Sequence, residues 1–275
     1  MTDLPPTRFP QPQRPSVRSG IPRFATLRTI LALVLREMST SYGRSPGGYL
    51  WAILEPAAGI ALLTAIFSAG FRSPALGISF PMFYATGILP FMLFTTISSK
   101  LGQAMNYSRQ LLAYPRVTFL DAILARFLLN MMTQILVSYL LIGAILLFTE
   151  TRVVMDGTVI ARAYALTGML ALGVGSFNCF MLLRFPLYQQ FWSVLTRPLF
   201  LISCIFFLYD TIPDPYHDWL WYNPLIHVIG LMRSGVYPNY NAPYVSELYV
   251  LGFSLVSLVL GLLFLRRHHK NALER

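Results

Sequence analysis

Apolar residues in this chain gather into six long runs: Trp51 to Phe71, Pro81 to Ser99, Ala122 to Phe148, Ala163 to Leu183, Phe191 to Tyr209 and Tyr244 to Leu265. A helix needs about 20 apolar residues to cross the roughly 30 Å hydrocarbon layer of a bilayer, so each run is long enough to span. Backbone amides and carbonyls find no water in lipid and must pair within their own segment, which makes these runs helices. The pattern predicts an all-α membrane protein with six transmembrane helices.

Two further segments are patterned but too short to cross. In Phe24 to Tyr42 the residues Phe24, Leu27, Leu31, Val34 and Met38 recur at steps of three and four, while Arg28, Thr29, Arg36 and Glu37 fall largely off that stripe. This is the period of an amphipathic helix, and it predicts an N-terminal helix lying in the membrane interface. Gly43, Ser45, Pro46, Gly47 and Gly48 make the turn that leads into the first span. The second segment, Leu220 to Gly235, is too apolar for an ordinary loop. Asn223 suits an N-cap, Pro224 the first helical position and Gly235 a helix end, which gives about eleven helical residues or roughly 16 Å. The expectation is a set of short exterior re-entrant or gate helices before the sixth span, anchored by the aromatic belt of Trp219, Trp221 and Tyr222.

Within the spans, Ala57, Ala61, Ala65 and Ala69 form a small-residue stripe that allows close helix contact. Arg126, Asn130, Gln134 and Ser138 also repeat every four residues and form a polar ridge on the third span. That ridge reads equally as hydrogen bonding between helices or as the lining of a pathway, with Arg126 near enough to the cytoplasmic end to reach the headgroups.

Composition agrees with the membrane class: 55% of residues are hydrophobic and only 12% charged, against about 25% charged in soluble domains. Lys and Arg alternate between high and low counts from loop to loop. With both termini inside, 17 lie on the cytoplasmic side and 4 outside, an asymmetry that sets the orientation. The net charge of +10 is spread over membrane-flanking loops, which suits anionic lipid and leaves no basic domain able to grip nucleic acid. Cys179 and Cys204 fall inside predicted spans and build neither a disulfide framework nor a metal site. Met1 to Pro22 is rich in Pro and Arg and reads as a disordered cytoplasmic tail rather than a signal peptide. The expected division is therefore a tail over residues 1–22, the interface helix and turn over 23–48, the six-span domain over 49–265 and a cytoplasmic tail over 266–275.

Motors and catalytic centres are not evident. The two lysines, Lys100 and Lys270, sit in no Gly-Lys-Ser/Thr phosphate loop. No acidic or basic residue falls near the middle of a span, where ion coupling would need one. The four histidines, His217, His227, His268 and His269, lack a Glu at metalloprotease spacing. Asp210, Asp214 and Asp218 recur every four residues, but Pro213 and Pro215 forbid a regular helix there, so they read as solvated loop charges. If the chain moves a solute uphill, another subunit supplies the work.

Several stretches carry a family resemblance. Ser41-Tyr42-Gly43-Arg44-Ser45-Pro46-Gly47-Gly48-Tyr49-Leu50-Trp51-Ala52-Ile53-Leu54-Glu55-Pro56 resembles the approach to the first span of type-2 ABC exporter permeases. Three further motifs resemble the capsular polysaccharide export permeases in particular. They are Tyr114-Pro115-Arg116-Val117-Thr118-Phe119-Leu120-Asp121-Ala122 with Arg126, then Arg197-Pro198-Leu199-Phe200-Leu201-Ile202-Ser203, then Tyr222-Asn223-Pro224-Leu225-Ile226-His227 with Arg233. Cys204 departs mildly from the small residue, such as Gly, expected after Ser203.

The resemblance implies a homodimer in the bacterial inner membrane that pairs with two copies of a separate cytoplasmic ATPase, which binds the ATP, so that this chain holds no cofactor. It assigns ATPase contact to Phe24 to Tyr42 and Gln103 to Asp121, with Arg28, Arg36, Arg109, Arg116 and Asp121 as coupling candidates. It assigns gating to Pro213 to Gly235, and the pathway and gate candidates are Arg126, Asn130, Gln134, Trp219, Trp221, Tyr222, His227 and Arg233. Arg233 is the single basic residue of the exterior segment and is expected to touch the polymer. The implied cargo is a lipid-linked acidic polysaccharide, handed on to periplasmic and outer-membrane export proteins. The same architecture could carry O-antigen, teichoic acid or a small amphiphile, and a different class, an intramembrane transferase acting on lipid-linked sugar, stays open from the residues alone.

Overall fold

A computed structural model describes residues 25–41, 47–112 and 118–273. The N-terminal tail, the turn residues Gly43 to Pro46, and Arg116 lie outside the described residues, as does the side chain of Arg109. Every regular element described is a helix: α1 (Ala25–Ser41), α2 (Gly48–Gly70), α3 (Phe80–Gly102), α4 (Ala104–Leu112), α5 (Phe119–Phe148), α6 (Gly157–Arg184), α7 (Tyr188–Ile202), α8 (Tyr216–Trp221), α9 (Pro224–Val236) and α10 (Glu247–Leu273). Five of them, α2, α3, α5, α6 and α10, are long and apolar enough to cross a membrane.

The bundle is built around α3 and α6, which are mostly covered by protein, while α2, α5 and α10 leave most of their apolar surface open. Glycine sets the closest contacts. A Cβ added at Gly173 of α6 would collide with the Ser254 carbonyl of α10, and one at Gly261 of α10 would lie 2.6 Å from the Phe177 nitrogen of α6. Gly175 of α6 approaches Leu101 and Ser98 of α3 in the same way. Without side chains between them these backbones meet directly, and the dispersion contact replaces the hydrophobic drive that lipid cannot supply. The alanine stripe of α2, expected to make such a contact, instead faces an open cleft of about 380 Å³ shared with Leu141, Ala144 and Ile145 of α5.

These contacts fix a direction. Arg162 Nη1 donates to Glu247 Oε1 at 2.9 Å, so α6 and α10 begin at the same end of the bundle and run parallel. Residues 185–246 must therefore return from one end to the other. The sequence predicts a continuous helical span for this return, at Phe191 to Tyr209, and the structure differs. Helix α7 covers 15 residues and stops at Ile202, and Ser203 to Leu208 continue without regular structure. The path runs antiparallel to α3, with Trp192 beside Phe94, Phe200 beside Phe91 and Ile205 against Gly87. At about 1.5 Å per helical residue α7 gives roughly 22 Å, and the irregular residues complete the climb.

Two smaller differences follow from helix chemistry. Helix α10 continues to Leu273, through positions expected to be tail, because no Pro or Gly after Gly261 ends it. Helix α9 reaches Val236 and does not stop at Gly235. That glycine lets the helix approach α6, where an added Cβ would lie 3.1 Å from the Ile160 nitrogen.

Candidate functional site

The break after α7 is the most unusual feature of the bundle, because a carbonyl without a helical partner is costly away from water. Asn223 and Arg233 supply the missing donors. Asn223 caps α9 through Oδ1, which accepts from the Leu225 amide at 3.1 Å, while its Nδ2 donates to the Ile202 carbonyl at 3.3 Å and to Ser203 Oγ at 3.1 Å. Arg233, 1% exposed, donates through Nη2 to the Ile205 carbonyl at 2.9 Å and through Nη1 to the Phe207 carbonyl at 3.0 Å. Its guanidinium lies 4.5 Å over the Phe83 ring of α3, a cation–π contact strengthened by exclusion of water. Cys204, at the turn itself, has φ +59°, in the left-handed region that favours glycine. The departure from Gly noted in the sequence thus falls where the backbone would best accept one.

Arg233 therefore holds the break closed and does not face outward as a polymer contact. Nearby Tyr237, Tyr240 and Tyr244 stay neutral: burial raises all three hydroxyls above their ordinary value, and the positive Arg233 pulls the other way more weakly. The guanidinium is balanced by carbonyl dipoles and an aromatic face.

The predicted aromatic belt separates into two parts. Trp219 and Tyr222 are 81% and 68% exposed. Trp221 turns inward, its Nε1 donating to the Tyr244 carbonyl at 3.1 Å and its ring packing, tilted by 36°, at 4.9 Å from that of Tyr249 of α10. His227, in the first turns of α9, pairs its Nε2 with the Trp221 carbonyl at 2.8 Å, while its Nδ1 accepts from the Ser246 amide at 3.2 Å. Those two bonds fit the neutral Nε2–H tautomer. Burial lowers the His227 pKa below its ordinary value, with the backbone bonds opposing. His227 thus stitches α8 and α9 to the start of α10.

At the opposite end, Arg126 of α5 is 4% exposed and reaches Glu37 of α1, with Nε at 2.8 Å and Nη2 at 2.7 Å from Oε1. Its Nη1 donates to the Lys100 carbonyl in the last turn of α3 at 3.0 Å, and the guanidinium sits 4.3 Å over the Tyr107 ring of α4. The polar ridge thus begins in an ion pair. Asn130 Nδ2 donates to the Arg126 carbonyl at 2.7 Å within its own helix, Gln134 is half-buried, and Ser138 is buried beside the Tyr164 hydroxyl of α6. Asp121 is occupied in a capping box at the start of α5: its Oδ2 accepts from the Thr118 amide at 2.9 Å, and its own amide donates to Thr118 Oγ1 at 3.2 Å. The Thr-x-x-Asp spacing was visible in the sequence.

Helix α1 shows three faces. Ile30 and Glu37 turn toward α5, Leu31, Leu35 and Met38 are exposed on a second side, and Arg28 and Arg36 are exposed on a third. An exposed apolar face beside an exposed basic one is the surface an interfacial helix offers to lipid and headgroups.

Among the described residues no three His, Cys, Asp or Glu side chains converge to hold a metal ion. Residues 28–237 match the ABC-2 type transporter family. The chain is 36% identical over 238 residues to the polysialic acid transport protein KpsM of Escherichia coli, covering 86% of this chain and 92% of that protein. It is 27% identical over 244 residues to the capsule polysaccharide export inner-membrane protein CtrC of Neisseria meningitidis, covering 88% and 92%. With BexB of Haemophilus influenzae, described in the same words as CtrC, it shares 24% over 243 residues, again covering 88% and 92%.

Proposed function

We propose a transport role that proceeds from one fact: the chain belongs to the ABC-2 type transporter family. The protein acts as the permease subunit of an exporter that moves lipid-linked capsular polysaccharide out of the cytoplasm across the inner membrane, driven by a separate ATPase that binds the ATP. The observation that carries this reading is the near full-length match to relatives described as polysialic acid transport and capsule polysaccharide export proteins. Several features support the rest of the assembly. Both termini face the cytoplasm, in keeping with the 17 to 4 split of basic residues. The exposed Arg28 and Arg36 give α1 a basic side for the ATPase, and Arg109, Arg116 and Asp121, on the stretch between the second and third spans, are the further coupling residues. The open apolar faces of α2, α5 and α10 are available to lipid and to a second copy of the chain. The exposed Trp219 and Tyr222 lie where a sugar chain could rest, since aromatic faces pack against sugar C–H groups. Two copies of the ATPase, and envelope proteins that receive the polymer, complete the working complex.

Deletion of the chain should abolish surface polysaccharide and leave lipid-linked polymer inside the cell. Re-expression should restore export only beside an ATPase competent in hydrolysis. In a cysteine-free background an impermeant thiol reagent should label a cysteine at Asn239 and spare one at Ser16. Normal surface polysaccharide in the deletion strain would overturn the reading, and nucleotide-independent turnover of lipid-linked sugar by the purified chain would favour the transferase.

A further inference from the structure

The guanidinium of Arg126, carried by α5, touches three other helices at once, and we infer that Arg126 and Glu37 form an openable latch that passes movement of the interface helix α1 to the membrane spans. This inference rests on the proposed function, in which work enters from a cytoplasmic partner.

The geometry gives the latch its specificity. Two donors of one planar group converge on a single carboxylate oxygen of α1, a third holds the Lys100 carbonyl, and the face of the group covers Tyr107 of α4. Lys100 lies in the last turn of α3, where carbonyls lack helical partners and the helix dipole favours a cation. A displacement of α1 along its axis therefore either breaks the two bonds to Glu37 or draws the guanidinium off the Lys100 carbonyl of α3. The two partners lie 89 residues apart in sequence, so the pair joins elements with no short chain connection. Lysine could not do this, because its point charge lacks the fixed fork.

Energetics make the pair a latch and not a weld. Two charges brought out of water lose hydration roughly equal to the attraction they gain, so an ion pair fixes position without much cohesion. Glu37 keeps 16% of its side chain exposed, and from there the pair can part toward water. The exposed apolar residues of α1 can remain against lipid while its ionic attachment to α5 opens and closes. Arg126 is thus a positioning residue for coupling, distinct from any residue that lines the path of the polymer.

Glu37→Gln is the decisive variant, since the amide still accepts a hydrogen bond and the chain should fold, whereas Arg126→Gln removes the fork that joins α1 to α3 and should lower membrane levels. Hydrogen exchange of the purified chain should show α1 amides opening about tenfold faster in Glu37→Gln, with exchange in α6 and α10 unchanged. In the chain reconstituted with its partner ATPase, ATP hydrolysed per polysaccharide delivered should rise at least about threefold while the hydrolysis rate itself is retained. A purely structural role would lower both rates together and leave their ratio alone. Unchanged α1 exchange overturns the latch whatever the transport result, and faster exchange with an unchanged ratio overturns its coupling role. Absence of ATP-dependent delivery by the unaltered chain would instead overturn the proposed function, while the exchange measurement still decides the latch.

Discussion

Two buried arginines stand at opposite ends of the bundle and are neutralised in different ways. Arg126 meets a carboxylate from a distant helix, whereas Arg233 meets two backbone carbonyls and a ring. Opening the first pair returns Glu37 toward water and leaves Arg126 its bond to the Lys100 carbonyl and its place over the Tyr107 ring, so part of the loss is offset. Withdrawing Arg233 leaves the carbonyls of Ile205 and Phe207 without donors in a dry site, which is expensive. The contrast teaches that a charge pair joins what has to separate, while a carbonyl clamp secures a backbone break that must persist.

The sharpest way to break this comparison is Arg233→Met, which keeps length and removes every donor. It should cost about 2 to 6 kcal/mol, about 1 to 3 for each of the two carbonyls left without a donor, against about 1 to 2 kcal/mol for Glu37→Gln, whose amide oxygen still accepts from Arg126. Thermal unfolding of the detergent-solubilised chain reads both, and a midpoint for Arg233→Met no lower than that of Glu37→Gln would end the distinction. A smaller effect separates the two ends by pH. His227 has a folded pKa below its unfolded value of 6.5, so its contribution is fully present above pH 6.5 and is lost as pH falls toward the lowered folded value. Acidification below pH 6.5 should thus destabilise the wild-type chain more than His227→Gln, whose amide can still donate to Trp221 and accept from Ser246. Parallel pH profiles would remove His227 from the exterior stitching. The smallest effect concerns the turn that Arg233 secures. Cys204→Gly should be about 1 kcal/mol more stable than Cys204→Ala, because only glycine takes the left-handed conformation without strain. Equal unfolding midpoints would mean that the turn stores no strain.

The apolar runs suffice for the all-α membrane class, and the Asn223 cap with Pro224 suffices to place the start of α9. The break at Ser203 to Leu208 was not legible, since Phe206, Phe207 and Leu208 continue the apolar run, Pro198 lies inside α7, and neither Gly nor Pro falls between Leu199 and Tyr209. What ends α7 is capture of its following carbonyls by Asn223 and Arg233, a tertiary effect that a hydropathy pattern does not contain. In the sequence Arg233 reads as a polymer contact because it is the single basic residue of its segment, and the carbonyls that absorb it carry no side-chain signature. The partner of Arg126 lay in plain view on α1, but pairing at that sequence separation has no local signal. Gly173, Gly175 and Gly261 were visible too, yet only the structure distinguishes a glycine that admits a neighbouring helix from one that does not, just as the alanines of α2 proved to border a cleft.

The glycine seam between α6 and α10 also bears on how the protein is made. A ribosome releases α6 long before α10, so the newly inserted chain holds a central helix whose Gly173 face has nothing to close upon. The seam, the Arg162 to Glu247 bridge and the His227 bond to Ser246 all wait for the last helix. Completion of the bundle is therefore a late event in biogenesis, and the final span is the piece that turns a set of inserted helices into one body.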